Sequence, residues 1–201
     1  MFENEKIRNL KLTKVQNNSM LEVLICVDCN PINKIKTKSE EYMEYIIREM
    51  KPYEYDCLKD FLYEAIFQPD TNQLVPKSII EQPELKVYIE NFGSAKDDYC
   101  LCAEIEKKIV GAVWVRNING YGSFDDTTVE FAISLYPDYR GYGIGTTMMR
   151  RMLQYLIQQG YQKASLAVQK DNYAFKMYLN VGFEIVGEND QEYIMIHRLE
   201  Q

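Results

Sequence analysis

The sequence is short of the residues that staple or metallate small proteins. Its 201 residues hold one histidine, His197, and five cysteines, Cys26, Cys29, Cys57, Cys100 and Cys102. An odd number of cysteines without framework spacing argues against a disulfide scaffold and fits reduced thiols. Cys26 and Cys29 form a single C-x-x-C, but no second pair follows and the histidine sits near the far end. A structural zinc would lack its four ligands, so no metal is expected. Long apolar runs are missing too: "LICV" and "IVGAVWV" are far too short to span a bilayer, and "MFENEKIRNLK" has no signal-peptide layout. The expectation is a soluble cytoplasmic protein that does not engage a membrane. Positive charge is the last shortage. With 23 Lys+Arg against 30 Asp+Glu the net charge is −7. Neutralising phosphates needs clustered Lys and Arg, so no nucleic-acid partner is expected. A cationic small molecule or peptide suits such a field better.

What is present is a core: 46% of the residues are hydrophobic, enough for one domain plus an appendage. Residues 1–40 stand apart, with seven basic and five acidic residues, so the remainder carries all the net negative charge. They read as an N-terminal extension of unknown role with one short apolar run, "MLEVLICV"; residues 41–201 read as the domain proper. The extension could pair strands across a homodimer or cover the domain's own sheet edge.

Within the domain, strand and helix periods alternate. "EYIIREM" reads as a strand stopped by Pro52, and "YEYDCLKDFLYEAIF" places Leu58, Phe61, Leu62, Ala65 and Ile66 at helical spacing. "KSIIEQPELKVYIENFG" reads as a second helix ending at Gly93. "YCLCAEIE" and "IVGAVWVRNI" form a strand pair around "KK", followed by the polar loop "NGYGSFDD". In "TVEFAISLY" the residues Val129, Phe131, Ile133 and Leu135 share one strand face, and Glu130, Ala132, Ser134 and Tyr136 the other. Ile144, Met148, Met149, Met152, Leu153 and Leu156 then make a helical stripe closed by Gly160. "KASLAVQ" is a strand, "NYAFKMYLNVG" a helix and "EYIMIHRL" a last strand. This order predicts a layered α/β (α+β) domain.

Between strand and stripe stands "DYRGYGIGTTMMRRM". A strand, a tight turn and a helix start expose backbone N–H groups at residues 141–146 that have no intrahelical acceptor, and such a terminus binds phosphate. Gly141, Gly143 and Gly145 would let an anion approach the backbone closely, and Arg140 could add a charge-assisted bond. The run is neither G-x-x-x-x-G-K-[ST] nor G-x-G-x-x-G, which excludes the common nucleotide loops.

The run R-G-Y-G-I-G fits the pattern [QR]-x-x-G-x-[GA], and with it the chain resembles the GNAT superfamily of acyl-CoA-dependent N-acyltransferases. The stretch from "VEFAISLYPDYRGYGIG" through "NYAFKMYLNVGFEIV" is similar to that family's core. The resemblance spans roughly residues 45–200, with specific motifs at 129–186. It implies a mixed, mostly antiparallel central sheet with helices on both faces and a splayed cofactor cleft. Acetyl-CoA would be the co-substrate. Its pantetheine arm would pair with main-chain groups of Ile133, Ser134 and Leu135, and its pyrophosphate would lie on Arg140, Gly141, Tyr142, Gly143, Ile144, Gly145 and Thr146. Asn172 matches the family asparagine that contacts pantetheine and is equally a good N-cap.

Tyr178, four residues before Gly182, matches the family's general acid for the departing thiolate, although one of 16 tyrosines on an apolar helix face also suits a core. The amine side needs a base. An amine of pKa near 10.4 is neutral only about once in 2,500 at pH 7, which costs about 4 to 5 kcal/mol unless the proton is removed. Glu130 is the carboxylate best placed for that, directly or through water. His197 reads as structural. Where relatives acting on protein N-termini often carry a glutamate, this chain has Ala167, which argues against that acceptor class. Asp125 and Asp126 are candidates to hold a cation. The implied activity is N-acetyl transfer to a small cationic amine or peptide amine by direct attack. The alternative is an acyl-CoA-binding regulatory or interaction module without turnover.

Overall fold

The computed structural model describes residues 31–36, 42–69 and 72–199. The run "MLEVLICV" and the Cys26, Cys29 pair lie outside them. The strands are β1 (Asn33–Lys36), β2 (Tyr42–Glu49), β3 (Tyr99–Ile105), β4 (Lys108–Arg116), β5 (Val129–Leu135), β6 (Lys163–Gln169), β7 (Glu184–Glu188) and β8 (Glu192–Arg198). The helices are α1 (Leu58–Ala65), α2 (Pro83–Lys86), α3 (Ile144–Gln158) and α4 (Phe175–Asn180). All eight strands form one open sheet in the order β1-β2-β3-β4-β5-β6-β8-β7. Every neighbouring pair is antiparallel except β5 and β6, which α3 connects as a parallel crossover. β1 lies within the segment read as extension, yet it pairs with β2 from Asn33↔Tyr45 to Lys36↔Tyr42.

Helices cover both faces of the sheet. On one side the stripe Ile144, Met148, Met149, Met152, Leu153 and Leu156 of α3 packs on Val113, Val115, Phe131 and Leu166. Each such side chain contributes about 2 kcal/mol by leaving water. On the other side Leu58, Phe61 and Leu62 of α1 join Ile80 and Tyr88 over Cys100, Cys102, Ala112 and Trp114. β5 serves both cores: Val129, Phe131 and Leu135 face the first, and Ala132 faces the second. That division is the one its alternation predicts.

The second predicted helix is broken. Residues Lys77–Glu81 form a 3-10 turn, α2 is four residues long, and turns lead on to Gly93. Pro83 forces Gln82 into extended backbone at ψ 138°, which interrupts the helix at its middle. Beyond α2 the carbonyls of Val87, Tyr88 and Glu90 accept from Arg116 and Trp114 side chains. The strand pair turns at Glu106 and Lys107, both at positive φ, one residue before the expected centre. β7 carried no predictive signal because its residues are largely exposed and lack alternation. Among the described residues, no helix is long and apolar enough to cross a membrane, and Cys57, Cys100 and Cys102 are free thiols.

Candidate active site

The site is made where β5 and β6 part. They pair only at Val129↔Ala164 and Glu130↔Ser165. Beyond those pairs the rest of β5 and β6 run on without each other, which leaves a gap in the sheet. A cleft of ≈ 890 Å³ opens there, lined by α1, β5, the glycine turn and α4.

Which backbone groups face the gap follows from the ladder to β4. Tyr136 N–H donates to the Val110 carbonyl at 3.0 Å. In an antiparallel ladder hydrogen-bonded and non-bonded pairs alternate, so Ser134, in register with Ala112, spends its N–H and C=O on β4. Ile133 and Leu135 turn theirs to the cleft. Of the three strand residues expected to pair with a pantetheine arm, Ser134 has its backbone on β4, and its hydroxyl donates to the Phe61 carbonyl at 2.6 Å.

Past the strand, Gly141 and Gly143 stand at φ 83° and 81°, and nothing lies within 4 Å of where a Cβ would be on either. Gly143 caps α3, and the first helical bond runs from Thr147 N–H to its carbonyl at 3.1 Å. The N–H groups of Gly141, Tyr142, Gly143, Ile144, Gly145 and Thr146 have no acceptor among the described residues. This is a concave row of donors at the positive end of a 15-residue helix. The Ile144 side chain is core, 1% exposed.

Arg140 differs from expectation. Its Nε donates to the Leu135 carbonyl at 2.8 Å, and Nη2 pairs with Glu64 Oε2 at 2.6 Å. The strand end leaves that carbonyl without a ladder partner, and the guanidinium satisfies it while bracing β5 to α1. The Arg140 charge is thus already balanced by Glu64.

On the far side of the cleft a second cavity of ≈ 320 Å³ runs towards β8. Ile133, Asn172 and Tyr178 line both cavities. Tyr178 is buried, makes no side-chain hydrogen bond among the described residues, and its pKa is raised by that burial. The phenol therefore keeps its proton at neutral pH. Asn172 Oδ1 accepts from Ala174 N–H at 2.9 Å, so its oxygen holds the turn into α4. Glu130 is 2% exposed. Its Oε1 accepts from the Tyr88 hydroxyl and from Gly122 N–H at 2.7 Å, while Oε2 has no partner. Burial pushes its pKa up to about 7 against those donors, with Glu192 adding to the rise.

Among the described residues, Glu130 and Glu192 are the only charged groups lining this second cavity, and Ala167 forms part of its wall. Asp125 is not free to hold a cation: Thr127, Thr128 and Lys163 occupy both its oxygens, with Lys163 Nζ at 2.7 Å, and they hold its pKa below the ordinary value. Asp126 contributes its carbonyl to Asn117. His197 packs its ring on Phe183, centroids 5.4 Å apart, away from both cavities. Tyr88 and Glu64 were missed from sequence, since each reads there as an ordinary helical residue. No group of metal ligands occurs among the described residues.

An open mixed sheet that parts within its one parallel pair, with free amides at the mouth, is the arrangement the motifs implied. The chain belongs to the Acetyltransferase (GNAT) family, whose model matches residues 60–183. An uncharacterized N-acetyltransferase of Archaeoglobus fulgidus is 26% identical over 132 residues, covering 65% of this chain and 88% of that protein. An acetyltransferase of Pectobacterium atrosepticum is 33% identical over 90 residues, 44% of this chain, and the match spans only 60% of that relative's length. Among solved structures, the PaiA N-acetyltransferase of Thermoplasma acidophilum in complex with coenzyme A superposes with a TM-score of 0.58 at 18% identity. That superposition covers 78% of this chain and 99% of the other.

Proposed function

We propose that the protein transfers an acetyl group from acetyl-CoA to a primary amine by direct attack. The observation that carries this reading is the tyrosine between two cavities, one floored by free amides and the other acidic. The pyrophosphate would accept from the amides of 141–146, where the open space before Gly141 and Gly143 fits such an anion. The pantetheine arm would run along Ile133 and Leu135, with the side-chain NH2 of Asn172 beside it. The amine would enter from the second cavity. Glu130 would take a proton from the ammonium, and the freed lone pair would attack the thioester carbonyl. The C–S bond then breaks, and Tyr178 donates its proton to the departing thiolate. A cationic acceptor suits this reading, because the charged lining of that cavity is negative throughout. A carboxylate on the acceptor would find no cation there.

Release of free CoA thiol across a panel of polyamines, amino acids, aminoglycosides and lysine or N-terminal peptides tests the reading. Turnover is expected with amines that lack a neighbouring carboxylate. Tight acetyl-CoA binding with no turnover on any amine would instead favour a binding module. Tyr178→Phe should keep KM for acetyl-CoA and lower kcat by about 10- to 100-fold, the usual worth of one positioned proton donor. A wild-type kcat in that variant would remove Tyr178 from the chemistry.

A further inference from the structure

Tyr88 does more than fill the core beside α1. Its phenol donates to Glu130 Oε1 and accepts from Tyr121 N–H at 2.8 Å, so both of its hydrogen-bonding directions are spent on the base and on the loop that covers it. Its backbone is held as tightly. The Tyr88 carbonyl accepts from Trp114 Nε1 at 3.1 Å, and Arg116 Nη1 takes the carbonyls of Val87 and Glu90 at 2.9 Å each. Arg116 is itself locked by both oxygens of Asp98 at 2.8 and 3.1 Å. Two side chains of β4 thus hold the three-carbonyl segment from which Tyr88 projects.

The loop "NGYG" is shaped to the same pair. A Cβ on Gly120 would stand 2.5 Å from Tyr88 Oη and 2.6 Å from Glu130 Oε2. One on Gly122 would stand 2.5 Å from the Leu166 carbonyl carbon of β6. Both glycines are therefore required by close approach. They bring Gly122 N–H onto Oε1 and set the Gly120 backbone against Oε2, which is itself buried.

We propose that Tyr88 is a positioning residue for the acetyl-transfer reaction, which together with Gly120 and Gly122 orients Glu130 and tunes the carboxyl that takes the proton of the amine. This rests on Glu130 being the base. The groups that bear on Glu130 are Tyr88 after α2, Tyr121 and the loop amides, and Glu192 of β8. Glu84 lies near Tyr121, and Arg116, opposite Glu130 on β4, is neutralised by Asp98. A donated hydrogen bond favours the ionised carboxylate, so losing the phenol should make Glu130 harder to ionise.

The test is a carbon-13 carboxyl titration of the full chain, read together with the pH profile of kcat/KM, in wild type, Tyr88→Phe, Gly120→Ala and Glu130→Gln. The Glu130 signal is identified by its loss in Glu130→Gln. In Tyr88→Phe its midpoint should rise by about one pH unit. The acidic limb of kcat/KM should move with it, a loss of about tenfold below neutrality that closes at high pH, with acetyl-CoA affinity unchanged. Gly120→Ala, which keeps the phenol but wedges the pair apart, should shift the same signal and serves if Tyr88→Phe does not fold. A Glu130 midpoint unmoved in the folded variants overturns the role of Tyr88 alone. Full activity in Glu130→Gln overturns the base, and this inference with it.

Discussion

Gly143→Val is expected to abolish measurable acetyl-CoA binding, a loss of at least about 100-fold, while the domain stays folded. Two effects act together. Gly143 sits at φ 81°, and a β-branched residue there costs roughly 1 to 3 kcal/mol of backbone strain. The side chain would also stand in the open space before the free amides of 141–146, where nothing now lies within 4 Å of the Cβ position. In the proposed reading that space is the approach path of the pyrophosphate to the helix start. Because the added methyls meet no protein atom, the stability lost should be confined to the strain, a shift of a few degrees in Tm. Calorimetric titration of acetyl-CoA into the folded variant decides the matter. Wild-type affinity would mean that the pyrophosphate binds elsewhere.

Glu130→Gln is expected to lower kcat/KM by about 100-fold or more and to remove the acidic limb near pH 7. Burial holds the folded carboxyl at about 7 against an ordinary value of 4.5. Between those values the native chain binds a proton that the unfolded chain has released, so stability falls as pH rises through the window. The loss is at most about 3 kcal/mol in total, complete above the folded value and absent below the unfolded one. Glutamine has no proton to lose. Urea unfolding at pH 5 and pH 8 should therefore show a smaller fall for the variant than for wild type. A variant that keeps both the kinetic limb and the stability slope would take Glu130 out of the site.

The two expectations differ in how far they could be read from the chain. The glycine turn needed no partner to be visible, because a strand, three alternate glycines and a helical stripe are all local patterns. The same holds for the two faces of β5 and for the six apolar positions of α3, where period alone assigns the core. Glu130 was nameable as the carboxylate beside the turn, but its properties were not. They come from Tyr88, 42 residues away, from Gly122 of the covering loop and from Glu192 of a distant strand.

Arg140 and Asp125 mark the same boundary from the other side. Both carry the right charge in the right stretch, and both are engaged by residues no local pattern could indicate. Glu64, 76 positions earlier, pairs with Arg140, and Lys163, 38 positions later, pairs with Asp125. Ser134 illustrates the same limit: which edge of a strand its amides serve depends on the phase of pairing with β4. Ala167, read as a departure from one acceptor class, lies in the wall of the acidic cavity.

The sequence by itself determined the layered fold, the helix and strand faces and the glycine turn, since side-chain periodicity and glycine conformation are encoded within a few residues. Only the tertiary structure decided which backbone groups face the cleft, which charges are already spent and which carboxylate oxygen is left unpaired. Those depend on contacts between segments tens of residues apart, and it is their joint burial that sets the charge and the reach of each group.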